Sequence, residues 1–354
     1  MSETNIGGSS DNVDDLLIES GFSPEEWLVE KATVHNQKTK DGENHKQIWA
    51  RVKRKDTAPF MDEEWRTSFL DKVKKLAPKN IELPKEDYQL ASVINLSDAH
   101  LRMLSWHKET GVNYDLKIGA HVTRKSGLYL LEETVTKLGA EKVVLVIGND
   151  MFHSDSQEPF TKRSGNLLDV DSRYQRGFEV AVEVITEIID TAITKYNVPV
   201  EVIPIPGNHD DETVYFLGQY LHAYYYKQEN VLIRNSPQRR KYFRWGKCLI
   251  GLSHGDGIKK TDVPNIMSKE NPNISWEDCP FREMLFGHKH HEMSHDEKGT
   301  VIRWVNAIAP EDAYHYYKGY IGSVKGSQAF MYDKNIGLKN ITYYRVNYPI
   351  DEAI

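Results

Sequence analysis

The 354-residue sequence predicts an α/β layered domain preceded by a small α+β module. Three observations predict it. From Tyr88 onward, apolar runs of strand length end repeatedly in clusters of Asp, Asn, Gly and His. Two segments with helical spacing, 125–139 and 171–195, stand between those runs, as in layered α/β chains. Before Tyr88 the pattern is a short helical stretch followed by two alternating segments.

Residues 1–10, with Gly7, Gly8, Ser9 and Ser10, read as a disordered start. Residues 13–18 predict a short helix ending near Gly21. Ser23-Pro24-Glu25-Glu26 offers an N-cap, a proline at the first helical position and a glutamate three residues on, so a helical turn is expected there. Residues 28–35 and 47–55 alternate as two strands, joined by the polar stretch 38–46. The expected domains are a helix-plus-hairpin module over 1–57, a helix and linker over 58–87 (helix 59–76, linker 77–84), and the main domain over 88–354. In that domain, strands are expected at 90–96, 142–147, 200–205, 248–252 and 284–286, with further strands at 299–305 and 328–348.

Composition bounds the function. The net charge of −7 is the wrong sign for a chain that binds nucleic acid over its whole surface, so any such contact needs a local patch. Cys248 and Cys279 are the only cysteines, which excludes a disulfide framework and a cysteine zinc site. No apolar run is long enough to span a membrane, and the polar N-terminus is not a signal peptide. A cytoplasmic protein is the expectation.

Five strand ends carry chemistry: Ser97-Asp98-Ala99-His100, Gly148-Asn149-Asp150, Gly207-Asn208-His209-Asp210, Ser253-His254-Gly255-Asp256 and Gly287-His288-Lys289-His290. Carboxyl ends of buried strands are where α/β proteins place their sites. The donors are carboxylate, imidazole and amide without thiolate, a set suited to Mn²⁺, Fe²⁺ or Zn²⁺. Asp98 and His100, like His288 and His290, are two apart and can share one side of a strand end. Gly148, Gly207 and Gly287 allow sharp turns close to an ion. Ordinary turn chemistry explains the Gly, Asn and Asp of these clusters but not their histidines.

In order, the D-x-H, G-N-D, G-N-H-D, S-H-G-D and G-H-x-H motifs resemble the signature of the calcineurin-like metallophosphoesterases, over the chain from Tyr88 to its end. The resemblance implies a four-layer αββα metallophosphoesterase sandwich binding two divalent ions, Mn²⁺ first, with Fe²⁺, Zn²⁺ or Mg²⁺ as alternatives. It implies that Asp98, His100 and His290 hold one ion, that Asn208, His254 and His288 hold the other, and that Asp150 bridges them. His209 would lie beside the phosphate with Asp210 fixing its orientation. A hydroxide shared by the ions would attack phosphorus in line. The family has Gly followed directly by Asp, whereas Asn149 intervenes here; either Asn149 or Asp150 could be the ligand, and Asp150 is assigned because a bridge between cations needs a negative charge.

The finer resemblance is to SbcD-type repair exonucleases, through Asp150-Met151-Phe152-His153, where His153 takes a catalytic position, and to phage-encoded members, through Thr161 to Tyr174. It implies a DNA phosphodiesterase acting in a host cytoplasm if phage-encoded, with a small-molecule cyclic or dinucleotide phosphodiesterase as the alternative; protein phosphatase and inactive binding module have less in their favour. Lys162, Arg163, Arg173 and Arg176 follow His153. A second basic run, 234–247, interleaves Tyr242, Phe243 and Trp245; it reads equally as a polyanion track and as a hairpin with one charged face. Arg51, Lys53, Arg54 and Lys55 offer a third patch, and Tyr314, His315, Tyr316, Tyr317 and Tyr320 either line the pocket or pack. A homodimer is an expectation from relatives. The chain leaves little room for the C-terminal segment through which repair nucleases dock an ATPase.

Overall fold

Three sheets organise the chain, whose computed structural model describes residues 3–9, 12–24, 27–38, 44–54, 88–162 and 164–348. The chain divides into two units, Met1–Lys79 and Asn80–Ile354.

In the first unit, β1 (Glu3–Gly8), α1 (Val13–Glu19), β2 (Trp27–Lys38) and β3 (Asn44–Arg54) form an antiparallel sheet of order β1-β3-β2 with one helix. The Asn12 side chain accepts the Asp15 N–H at 2.9 Å and so caps α1. Leu16 and Leu17 of α1 bury against Ile6, Ile48, Ala50 and Val52. The hairpin expected from alternation is present. The disordered start is corrected: Glu3 to Gly8 pair with β3, and Gly7 leaves room for the Trp49 ring, which lies where a Cβ would fall. Only Ile6 of that strand is a buried apolar residue, so no alternation announced it. The expected turn at 23–26 falls partly outside the described residues, as do the helix at 59–76 and the linker at 77–84.

The second unit begins with β4 (Leu90–Asn95), α2 (His107–Thr110), α3 (Leu116–Glu132, continuing as a π-helical turn over Glu133–Lys137), β5 (Lys142–Gly148) and α4 (Tyr174–Thr194). Then come β6 (Val200–Ile205), α5 (Asp211–Tyr224), β7 (Val231–Ile233), β8 (Arg240–Trp245), β9 (Cys248–Ser253) and α6 (Val263–Glu270). It closes with β10 (Phe281–Phe286), β11 (Met293–Glu297), β12 (Thr300–Trp304), α7 (Ala313–Lys318), β13 (Gly326–Asp333) and β14 (Gly337–Arg345).

One sheet runs β14-β13-β4-β5-β6-β7 and the other β11-β12-β10-β9-β8. Strand alternation makes them a sandwich. Val93, Val144, Val146 and Ile203 from the first sheet share one core with Ile250, Leu252 and Leu285 from the second. The opposite face of the second sheet packs Leu249, Met284 and Ile302 against Val263 and Met267 of α6. On the outside of the first sheet, α3 contacts β4, β13 and β14, and α4 contacts β6. Val180, Val184 and Ile188 of α4, spaced i, i+4, are buried. The result is a four-layer αββα sandwich. Strands β4, β5 and β6 are mutually parallel, and so are β9, β10 and β12; the carboxyl ends of β4, β5, β6, β9 and β10 therefore carry the motif loops. No helix of the described residues is long and apolar enough to cross a membrane.

Candidate metal centre

The five strand ends converge. Potential ligand atoms of Asp98, His100 and His290 form one group and those of Asp150, His254 and His288 a second, the atoms of each lying within 4.8 Å of one another. In the first, His290 Nε2 is 3.2 Å from His100 Nε2 and 3.3 Å from Asp98 Oδ1. In the second, His254 Nε2 is 2.8 Å from Asn208 Oδ1, 3.0 Å from Asp150 Oδ2 and 3.1 Å from His288 Nδ1. Donors about 2.1 Å from one ion and at right angles to each other stand about 3.0 Å apart, so these separations suit ligands around single divalent ions.

Hydrogen bonding supports the same conclusion. Asn149 Nδ2 donates to Ser97 Oγ at 2.6 Å, which leaves Asn149 Oδ1 to accept from His254 Nδ1, also at 2.6 Å. His254 Nε2 then presents a lone pair toward the Asn208 and Asp150 oxygens. Such a cluster of acceptors is stable only around a cation or a proton. Without a cation, a proton is held: burial alone would lower the His254 pKa, but the charge of Asp150 and its hydrogen bond raise it to about 9. His100 goes the other way. Burial, followed by the neighbouring histidines His209 and His290, holds its pKa well below the ordinary value, so it is a neutral donor suited to an ion. Asn149 thus orients His254, and Asp150 supplies the charged oxygens.

Backbone strain marks the same residues. Asp98, His100, Asp150, His288 and His290 have φ of 51°, 41°, 62°, 69° and 54°, a left-handed region that side-chain-bearing residues rarely adopt. Each such residue costs on the order of 1–3 kcal/mol and persists where the surroundings enforce it, typically at functional sites. A Cβ at Gly287 would stand 2.6 Å from Asp98 Oδ2, and one at Gly207 would overlap Asp150 Oδ1. Glycine at both positions lets backbone close on the two carboxylates.

His153 and His209 form the edge of the site. Their rings stack at 5.5 Å, and His209 Nδ1 donates to the His153 carbonyl at 2.8 Å. His153 Nδ1 is 3.1 Å from His100 Nδ1, while the buried His153 Nε2 has no hydrogen-bond partner among the described residues. Burial, then the proximity of His209, lowers the His153 pKa to about 3, so it is neutral near pH 7. If His100 keeps its Nε2 lone pair for an ion, its Nδ1–H donates to His153 and the unpaired His153 Nε2 carries a hydrogen.

Asp210 does not hold His209 in the expected way, since the partner of the His209 ring is the His153 carbonyl. Its buried carboxylate instead accepts N–H groups from Gly207, Asp150, Met151 and Phe152, at 2.8–3.3 Å, and staples the loop after β5 to the loop after β6. Asp155, absent from the sequence reading, does similar work. It accepts the N–H groups of Glu212 and Thr213 at the start of α5, at 3.0 and 2.7 Å.

His315 is a further site residue. Its ring stacks on His290 at 4.9 Å and 16°, and its Nδ1 is 2.6 Å from Asp312 Oδ1. His315 and Tyr314 line a cavity of about 190 Å³ above the metal groups, while Tyr316, Tyr317 and Tyr320 are exposed. The described residues lining this cavity include no lysine or arginine.

The second basic run forms β8 and its flanks, and four of its six cations are engaged with other elements of the fold. Arg234 pairs with Glu201, Arg239 with Asp211, and Arg240 with Glu270; Lys241 is buried against the Pro204 carbonyl. Lys162 pairs with Asp155 and Glu212, and Arg163 lies outside the described residues. His291 and His295 bond to the Lys289 carbonyl and Glu297, and neither belongs to a clustered group.

No family model matches the chain, and no curated protein matches it. Among solved structures it is similar to an archaeal phosphodiesterase, at 11% identity over 73% of this chain and 99% of the other, with a TM-score of 0.33. It is also similar to Vps29 from Cryptosporidium parvum, at 14% identity over 73% and 99% with a TM-score of 0.30. A third is wild-type Vps29 from Entamoeba histolytica complexed with zinc, at 12% identity over 46% and 88% with a TM-score of 0.24. Scores this low carry no argument about activity, which rests on the site itself.

Proposed function

We propose that the chain is a metal-dependent phosphoesterase resembling the calcineurin-like metallophosphoesterases. The observation that carries this reading is the convergence of Asp98, His100 and His290 beside Asp150, His254 and His288, with Asn208 against His254. Two divalent ions, when bound, would supply charge neutralisation at phosphorus and a water of lowered pKa. Asp98, His100 and His290 would hold one, Asn208, His254 and His288 the other, with Asp150 between them. His209, its Nδ1–H donated to the His153 carbonyl, would act at the leaving oxygen through Nε2, which donates a hydrogen bond or a proton in the imidazolium form. His153 fixes His100 and His209 together. Asp210 and Asp155 hold the loops that present these groups.

Two substrate readings share this site. A DNA phosphodiesterase is supported by the position of His153 against His100 and His209. A compact phosphodiester, a cyclic or dinucleotide phosphate, is supported by the small cavity and by its walls, which carry Asp169 and Asp312 but no described cation. The groove of about 750 Å³ lined by Arg234, Arg239 and Arg240 would suit a polyanion by size, yet each of these arginines is paired with a carboxylate. The compact substrate has the stronger support. A panel separates the readings: Mn²⁺-loaded protein with a bis-aryl phosphodiester, cyclic nucleotides, a dinucleotide and end-labelled single- and double-stranded DNA. Turnover of small esters alone supports the compact substrate, degradation of DNA supports the nuclease, and turnover of none removes the phosphoesterase reading.

A further inference from the structure

One part of the cavity wall is built by α7 and the residue before it. Asp312 caps this helix, accepting the His315 N–H at 2.8 Å, and the same oxygen takes His315 Nδ1 at 2.6 Å. Asp312 is buried, at 7% exposure, so one carboxylate fixes both the helix start and the ring. The flat stack on His290 restrains the ring from its other side. With Nδ1 committed, Nε2 is the nitrogen left for a bound molecule. Tyr314 lines the same cavity and is 52% exposed, with His315 edge-on to its ring at 5.8 Å and Lys318 Nζ over the ring at 5.8 Å. Asn166 and Asp169 add hydrogen-bonding groups from the far wall.

We propose that His315, positioned by Asp312, binds the alcohol part of the ester, and that this part is an uncharged nucleoside with hydroxyl or N–H groups. The inference rests on the phosphoesterase reading for the location of the phosphoryl group. The walls favour a nucleoside because they pair an imidazole and polar neutral groups with an aromatic ring. They disfavour further phosphates, because the walls hold the carboxylates Asp169 and Asp312. His315 is thus a specificity residue rather than a metal ligand.

The test is equilibrium binding to the full chain loaded with Mn²⁺, using adenosine 5′-monophosphate and inorganic phosphate as probes. The variant His315→Phe keeps a ring on His290 and removes both nitrogens. Its affinity for the nucleotide should fall about tenfold, with phosphate affinity and bound-metal content unchanged. Asp312→Asn, which keeps an oxygen for the helix cap, should weaken the nucleotide in the same direction. His315→Gln, with a polar end group, should recover part of the loss. Equal weakening of both probes, or loss of metal in His315→Phe, would show that the ring only supports His290 and would overturn the proposal. So would unchanged nucleotide affinity, or a wild-type chain that binds phosphate and not the nucleotide. Turnover of the bis-aryl phosphodiester, which lacks a nucleoside, is followed separately: its absence in the wild type counts against the phosphoesterase reading, and the binding ratio decides the role of His315.

Discussion

Asn149 Oδ1 lies 2.6 Å from His254 Nδ1, so the residue that interrupts the expected Gly-Asp pair is the one that sets the tautomer of His254, a proposed ligand. Partners of this kind typically contribute ten- to hundredfold in metal affinity. Asn149→Ala should weaken Mn²⁺ binding at one of two sites by about that factor, measured by calorimetric titration. Two unchanged sites would remove the positioning role of Asn149.

Asp150→Asn keeps the shape of the side chain and removes its charge. It should abolish hydrolysis of an aryl phosphodiester and lower metal content. His290→Ala, which opens the other group, should also abolish turnover. Undiminished turnover in either variant refutes the ligand assignment.

His209→Ala should keep both metals and lose about 10²- to 10⁴-fold in rate, because its Nδ1 is donated to the His153 carbonyl and its ring meets His100 only edge-on, at 4.9 Å. Loss of metal in this variant would show that His209 is a ligand.

Asp210→Ala leaves the N–H groups of Gly207, Asp150, Met151 and Phe152 without their buried acceptor. A destabilisation of about 3–5 kcal/mol in urea unfolding is expected. A change under about 1 kcal/mol would mean that water replaces the carboxylate.

The metal-free protein should be pH-sensitive through His254. Its folded pKa is raised from 6.5 to about 9, because the Asp150 charge and hydrogen bond outweigh burial. Stability from this pair is therefore fully present below pH 6.5 and is lost as pH rises through about 9. A bound ion takes the place of the proton, so Mn²⁺ affinity should rise with pH over the same interval. Urea titrations of metal-free protein at pH 6 and pH 9 measure the first effect, and equal stability at both would contradict it.

The parts legible from residue order were those with local causes. The strands at 142–148 and 200–205 are apolar runs with sharp polar ends, and they fall within a residue of expectation. The α/β layering follows from such strands alternating with helices, whereas the four-layer αββα arrangement was implied by the resemblance that the motifs carry. Long-range relations were not legible. Asp210 stands next to His209 in sequence, yet its oxygens reach backbone N–H groups around residue 150. His315 stacks on His290 only because α7 returns over the strand ends. The strand Glu3–Gly8 has almost no apolar alternation and takes its register from Trp49 and its neighbours. The charge of 234–247 left a polyanion track and a charged hairpin face equally open, because the partners of Arg234, Arg239 and Arg240, which are Glu201, Asp211 and Glu270, lie on other elements.

Anomalous diffraction from crystals grown with Mn²⁺ tests the central claim most directly. Two peaks per chain are expected, about 3.5–4 Å apart, one beside Asp98, His100 and His290, the other beside Asn208, His254 and His288, with Asp150 between them. A single peak, or peaks away from these side chains, would contradict the two-metal account.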